Sequence, residues 1–265
     1  MFELVPIVII LAFLFETMDS SAGMGFGTGL TPLLFVIGYE PLQVVPILLI
    51  SEAITGFTAG FFHQEFGNVN FKLKKPFNKV TKIMINIALF GIFAIILSVF
   101  LTYYSLEIDK SIIKSYVAIL VIIMGIIAMF KLRNKSSSYK PKLLIFFSAL
   151  AGFNKGIGAG GYGPVVMLGQ IFSGIYEKTA TAIVSVSEAL VSVAGVCSFV
   201  MMPVLLNQDI EIDFYLLPSV FTGGFIAALI SPYIVRVLPN RIWKFIIPIY
   251  ALSIGIYILA KLYIL

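Results

Sequence analysis

Cysteine and histidine are scarce in this chain, and each scarcity excludes a class of site. The sequence has one cysteine, Cys197, and one histidine, His63. A single cysteine cannot form an intramolecular disulfide or a cysteine zinc cluster, and a single histidine disfavours a histidine-based metal site. We therefore predict neither a metal site nor a cofactor.

Charged residues are also few, at 12% of the chain against 60% hydrophobic residues. The mean hydropathy is +1.05. A soluble domain of this length could not bury so much apolar side chain, so the solvent around it must be lipid. The net charge of +5 does not indicate nucleic acid, because the basic residues lie beside apolar segments and report membrane topology. The composition predicts an all-α polytopic membrane protein.

Motifs of ATP-driven and metallopeptidase chemistry are missing from the sequence. There is no Walker motif, so ATP is not the evident energy source. HExxH is absent, and a hydrolase built on buried glutamates would lack a convincing partner residue. We do not expect an enzyme, and no catalytic residue is predicted.

Long apolar segments predict about ten membrane segments. At 1.5 Å per residue, about 20 helical residues cross a hydrocarbon core of about 30 Å. Six segments are this long: 43–63, 80–104, 112–131, 179–205, 214–236 and 242–263. Two other regions, 3–38 and 142–175, each contain two shorter apolar arms joined by a glycine-rich break. Each region forms either two short spans or one re-entrant hairpin.

The two glycine-rich breaks occupy matching places in the two halves. The first reads GMGFGTGLTP from Gly23 to Pro32, and the second reads GIGAGGYGP from Gly156 to Pro164. Paired helix interruptions in an apolar chain are the best sequence indication of a transporter binding site. Glycine lets a ligand approach the backbone, and free N–H groups at the start of the next helix favour an anion. Gly56 and Gly60, by contrast, have a GxxxG spacing typical of helix packing.

Basic residues orient the predicted spans. Thirteen of the eighteen form three clusters: Lys72, Lys74, Lys75, Lys79 and Lys82; Lys131, Arg133, Lys135, Lys140 and Lys142; and Arg236, Arg241 and Lys244. The positive-inside rule places these loops in the cytoplasm and the acidic or nearly neutral alternate loops outside. The first half then starts outside and the second inside. We predict two inverted-topology repeats, 1–134 and 135–265, in a multi-pass protein of the cell membrane with both termini outside.

Two glutamates lie inside predicted spans, where a charge costs about 2.5 to 3.5 kcal/mol. Glu52 and Glu188 each stand in a Ser-Glu-Ala triplet that follows a glycine-rich break. Helical spacing gives each a small or polar face: Thr55, Gly56, Ala59, Gly60 and His63 for the first, and Thr181, Ser185, Ser192 and Gly195 for the second. A buried carboxyl can carry a proton, so one or both of these glutamates are predicted to couple proton movement to transport. The alternative is a neutral glutamate in an interhelical hydrogen bond.

Three further charged residues lie next to the breaks. Lys155 would attract an anion, although a snorkelling or ion-paired lysine fits the sequence as well. Asp19 could cap the first break or pair with Lys155. Glu16 and Asp19 could also repel an anion, and they favour an alternative function as a cation or proton transporter. His63 and Glu65, near the end of a span, are interpreted as interfacial.

The breaks resemble those of the sulfite exporter TauE/SafE family, also called the TSUP transporters. The family pattern is a glycine-rich motif near the N-terminus that ends a few residues before a proline, with a second copy midway. Gly25 to Pro32 and Gly152 to Pro164 match it, although Thr28 interrupts a cluster often written GGG. The resemblance covers essentially the whole chain. It implies a secondary transporter that exports small anions such as sulfite, sulfonates and related organic acids.

The predicted substrate-binding residues line the two breaks and their flanks. They are Gly25, Gly27, Thr28, Gly29, Asn154, Lys155, Gly158, Gly160, Gly161 and Gln170. The expected partners are the lipid bilayer, a small anionic substrate and a coupling proton. A homodimer is compatible with the sequence, but no particular residue indicates one.

Overall fold

The computed structural model describes residues 4–105, 140–207 and 212–239, together with isolated helical positions within 112–129 and 242–260. Its helices are α1 (Pro6–Ala22), α2 (Thr31–Ile37), α3 (Pro41–Glu65), α4 (Lys79–Val99), α5 (Pro141–Gly158), α6 (Tyr162–Phe172), α7 (Glu177–Leu206) and α8 (Leu217–Val237). Two π-helical segments, Phe26–Leu30 and Phe100–Ser105, precede α2 and extend α4. The described residues contain no strand, and the all-α prediction is confirmed for them.

Four of the described helices are long and apolar enough to cross a membrane. They are α3, α4 with its extension to Tyr103, α7 and α8. These helices lie where the spans 43–63, 80–104, 179–205 and 214–236 were predicted. The predicted spans 112–131 and 242–263 lie largely outside the described residues.

The distribution of apolar side chains fits a lipid environment. Phe93 and Val204 are 74% and 76% exposed, whereas the hydroxyl-bearing Ser51, Thr55 and Ser192 are buried. A soluble monomer rarely exposes a large contiguous apolar surface. In a bilayer the same surface contacts lipid tails, and polar groups are satisfied inside the helix bundle.

Both glycine-rich regions interrupt a helix, and each interruption is shorter than its motif. Helix α1 ends before Gly23, which has a left-handed backbone (φ 72°), and helical backbone resumes at Phe26. Helix α5 ends before Ala159, and Gly161 is left-handed (φ 78°) immediately before α6. Glycine adopts this conformation without a steric penalty, so Gly23 and Gly161 permit the sharp changes in chain direction.

Helices from the two halves of the chain interleave. Helix α1 packs most extensively against α8, and α4 against α5, while α3 contacts α7 and α8 and α7 also contacts α4. Close approach depends on glycine, since Gly152 of α5 lies directly against the backbone of Gly91 on α4. Gly56 and Gly60 of α3 likewise contact Ser185 and Val186 of α7, which confirms their predicted packing role.

Asn78 caps the beginning of α4. Its side-chain oxygen accepts a hydrogen bond from Thr81 N at 2.8 Å, and its amide donates to Asn70 O at 2.7 Å. Because the cap satisfies an otherwise unpaired N–H, Asn78→Ala should lower the free energy of unfolding by about 1 kcal/mol. Thermal unfolding in detergent would measure this. Asn78→Asp keeps the capping acceptor and is the control; equal transitions for Ala and wild type would contradict the role.

Candidate functional site

A buried ion cluster lies where α3, α5 and α7 meet. Lys155, in the last turn of α5, is fully buried, and its Nζ donates to Glu52 Oε2 at 2.5 Å and to Glu188 Oε1 at 2.7 Å. The ring centroid of Tyr162 lies 5.4 Å from the same Nζ, within the range of a cation–π contact. These four residues are called the lysine cluster below.

Helix packing brings the two glutamates together. Gly56 has no side chain, so α3 approaches Ser185 and Ala189 of α7 closely, one turn from Glu52 and Glu188. The faces predicted for both glutamates are buried, as the helical spacing indicated. Ser192 Oγ also donates a hydrogen bond to Glu52 Oε2 at 3.5 Å, so a second α7 side chain contacts the cluster.

The charges of the cluster do not balance. One ammonium and two carboxylates carry a net negative charge. Burying such groups is costly, and the cost is offset only by close pairing and further hydrogen bonds. Glu52 Oε1 and Glu188 Oε2 both have no hydrogen-bond partner within the described ranges, and Glu52 Oε1 lies beside Gly27. The cluster is therefore a buried polar centre with unused acceptor capacity.

Two more buried acids on α1 lie close enough to Glu52 and Glu188 to interact electrostatically with them. Glu16 Oε1 accepts a hydrogen bond from Ser20 Oγ at 2.5 Å. Asp19 Oδ1 accepts one from Phe26 N at 3.3 Å, so Asp19 caps the first break. Lys155 pairs with the two glutamates instead of Asp19, which decides between the alternatives that the sequence left open.

The two breaks touch each other beside the lysine cluster. A Cβ atom added at Gly27 would lie 1.9 Å from Ala159 O, and one at Gly163 would lie 2.5 Å from Gly23 O. The hydroxyl of Thr28 accepts a hydrogen bond from Gly161 N at 3.1 Å. Backbone of one half therefore packs directly on backbone of the other at the position of the predicted binding site.

Two of the predicted backbone donors, Gly29 and Gly161, already have acceptors in the protein. Gly29 N donates to Gly25 O at 2.6 Å within the π-helical segment, Phe26 N donates to Asp19, and Gly161 N donates to Thr28. Gly158 and Gly160 are buried in the second break. An anion bound by these N–H groups would have to displace an internal acceptor.

The two predicted amide side chains are buried and only partly satisfied. Asn154 Oδ1 accepts a hydrogen bond from the hydroxyl of Tyr116, and its Nδ2 has no partner among the described residues. Gln170 Nε2 donates to Ala180 O at 3.3 Å, so it joins α6 to the beginning of α7 and does not reach the lysine cluster. Both are buried completely.

His63, near the end of α3, is buried within the protein, which the sequence did not indicate. Its side chain is fully buried, with Nε2 2.9 Å from Ser20 O and Nδ1 3.0 Å from Asn68 Nδ2. Asn68 also donates to Pro232 O at 2.8 Å, so the segment after α3 folds back over the histidine. Glu65 is exposed, as expected at a helix end. Tyr162 was not predicted as a site residue, although its position in the second glycine-rich break could have indicated one.

Asp19 and Lys155 occupy equivalent positions before the two breaks. Gly23 N donates to Asp19 O at 2.7 Å, and Ala159 N donates to Lys155 O at 2.8 Å. Both capping residues, Gly23 and Ala159, are left-handed. One half therefore places an acid, and the other a base, at the same point of the same local structure.

Comparison with known proteins identifies the chain at the level of a family. The family model described as "Sulfite exporter TauE/SafE" matches residues 8–258. The "Probable membrane transporter protein YtnM" of Bacillus subtilis (strain 168) is 25% identical over 232 residues, which cover 83% of this chain and 71% of that protein. No solved structure matches the chain significantly. Since the family match extends over nearly all of the sequence, the chain belongs to the sulfite exporter TauE/SafE family of membrane transporters.

Proposed function

We propose that the protein is a secondary transporter that exports small anions, with sulfite, sulfonates and related organic acids as the substrate class. The observation that carries this proposal is the fully buried Lys155 at the meeting point of the two breaks. Burying an ammonium group inside a membrane protein is costly, and such groups often mark a substrate or ion pathway. An anionic substrate is a natural ligand for the ammonium group. The family name points to the same class of substrate.

The packing pattern supports two inverted repeats, 1–134 and 135–265, as the frame of the transporter. The contact of α1 with α8 has a counterpart in that of α5 with α4, and the contact of α3 with α8 has one in that of α7 with α4. Exchanging the halves therefore reproduces the main contacts. With ten membrane segments, this arrangement puts the basic loops in the cytoplasm and both termini outside.

Substrate binding at this site requires internal partners to be exchanged. The anion would contact Lys155 and the backbone around Gly27, Gly29, Gly160 and Gly161, where the described N–H groups now donate within the protein. Thr28 and Asn154 would supply side-chain donors. Gly25, Gly158 and Gln170 would shape the surrounding helices. Glu16 and Asp19 would contribute charge beside the site and act in gating or pairing.

One or both of Glu52 and Glu188 are proposed to carry the coupling proton. Both are buried, and both contact the ammonium that would bind the substrate. A buried carboxylate that loses its cationic partner is stabilised by taking up a proton. Protonation and anion binding therefore favour each other at this site.

A cation or proton transporter is the second candidate, because four buried acids surround one lysine. Among the described residues, however, no group of three acidic, histidine or cysteine side chains is arranged to hold a metal ion. A transport assay in which anions and cations compete for the protein distinguishes an anion transporter from a cation transporter.

Transport by purified protein in liposomes tests the proposal. Sulfite uptake or release should be saturable, should exceed that of protein-free liposomes, and should be inhibited by organic sulfonates. Movement of a monovalent or divalent cation, with no movement of any anion, would reject the anion function in favour of the second candidate.

A further inference from the structure

The two carboxylates on Lys155 come from different halves of the chain. Glu188 is separated from Lys155 by 33 positions and Glu52 by 103. Glu188 therefore pairs within the second half, whereas Glu52 reaches the lysine from the first half. Because its Oε1 also lies against Gly27, Glu52 contacts both breaks at the place where they cross.

The ionised cluster repels an anion. Glu16 and Asp19 of α1 also lie within electrostatic range of Glu52 and Glu188, and each adds to the cluster's net negative charge when it is ionised. The Tyr162 ring, 5.4 Å from Nζ, brings no positive charge. In a water-poor interior such repulsion is screened weakly, so an anion reaches Lys155 only after negative charge has been removed.

The geometry points to Glu52 as the group that couples each anion to a proton. On this inference, which rests on the proposed function, Glu52 takes up a proton, Lys155 leaves it, and one substrate anion replaces it on the lysine. Glu188 remains the counterion of Lys155 throughout.

The protons and charges of this exchange balance. The carboxylate of Glu52 accepts one proton from water and becomes a neutral carboxylic acid, and Lys155 stays an ammonium. The incoming monovalent anion replaces the negative charge that was lost, so the cluster has the same total charge empty and loaded. A proton and a monovalent anion then move together in the same direction, and no net charge crosses the membrane.

Glu52 suits this role better than Glu188 because its bond to Lys155 joins the two halves. Releasing that bond frees one half to move relative to the other, while the bond to Glu188 keeps the lysine in place.

The experiment uses the wild-type protein in liposomes with sulfite and methanesulfonate as probes. Methanesulfonate keeps its single charge over the working pH range, so any proton that moves with it is carried by the protein. Anion flux and internal pH are measured together while the membrane potential is set with potassium and valinomycin. We expect one proton for each methanesulfonate, rates that follow the pH gradient, and rates that do not follow the potential.

Glutamine variants assign the coupling group. Glu52→Gln should lose proton movement and acceleration by a pH gradient, but it should still exchange methanesulfonate. Glu65→Gln, an exposed glutamate at the end of the same helix, should behave as wild type. Size-exclusion profiles and thermal unfolding in detergent show whether each variant is folded, and the wild-type measurement does not depend on any variant.

Each adverse outcome overturns a different statement. Flux of neither anion above that of empty liposomes would overturn the proposed function. Anion flux without proton movement, or with net charge for each anion, would overturn the coupling and leave anion transport intact. Coupling that survives Glu52→Gln but is lost in Glu188→Gln or Glu16→Gln would overturn the assignment to Glu52.

Discussion

Lys155→Met is expected to abolish anion transport and to lower the free energy of unfolding by about 3 to 5 kcal/mol. The substitution keeps an unbranched side chain but leaves Glu52 and Glu188 buried without their cation. Uncompensated buried charge is among the most destabilising consequences of a single substitution. Thermal unfolding in detergent and uptake into liposomes measure the two effects.

The stability loss should depend on pH in a defined direction. Acid neutralises the two carboxylates, so the deficit of Lys155→Met should be largest at high pH and should shrink as the pH falls. Combining Lys155→Met with Glu52→Gln and Glu188→Gln should restore much of the stability and none of the transport. Lys178→Met, at a partly exposed lysine near the start of α7, is the control. Unchanged stability and transport in Lys155→Met would show that the lysine cluster contributes neither to folding stability nor to anion transport.

Gly27→Ala should prevent the two breaks from packing on each other. The added Cβ would lie 1.9 Å from Ala159 O and 2.9 Å from Glu52 Oε1, and real Cβ atoms essentially never approach so closely. Since the nearest obstacle is backbone, the cost should exceed the about 1 to 3 kcal/mol typical of overpacking. We expect a lower unfolding temperature and loss of transport.

Gly224→Ala is the matched control for this substitution. A Cβ at Gly224 of α8 meets its nearest neighbours at 3.4 Å, which is ordinary contact, and alanine favours a helix over glycine. The variant should be as stable as wild type or slightly more stable. If Gly27→Ala and Gly224→Ala unfold alike, the breaks do not require glycine at their contact.

The spans and breaks could be predicted from sequence because their causes are local. A run of apolar residues and a cluster of glycines act over one or two helical turns, so α3, α4, α7 and α8 fall where hydropathy placed them. The buried faces of Glu52 and Glu188 followed from helical spacing alone. The repeated Ser-Glu-Ala triplet also indicated that these two residues correspond to each other.

The partners of Lys155 could not be predicted in the same way. Helical spacing says which face of α3 carries Glu52, but not which helix lies against that face. The bond from Lys155 to Glu52 spans 103 positions and depends on how α3, α5 and α7 pack. The burial of His63 was not predicted for a related reason, since Asn68 lies in the irregular segment after α3 and Pro232 is distant in sequence.

The interleaved packing has a consequence for how the protein is made. Val5 N, just before α1, donates to Ser219 Oγ in α8, and these residues are 214 positions apart. A ribosome adding about 5 to 20 residues per second needs roughly 10 to 40 s to cover that distance. During this interval α1 has left the ribosome with Glu16 and Asp19 while its main helical neighbour does not yet exist. The contact between α1 and α8 can therefore form only after synthesis has reached α8, near the end of the chain.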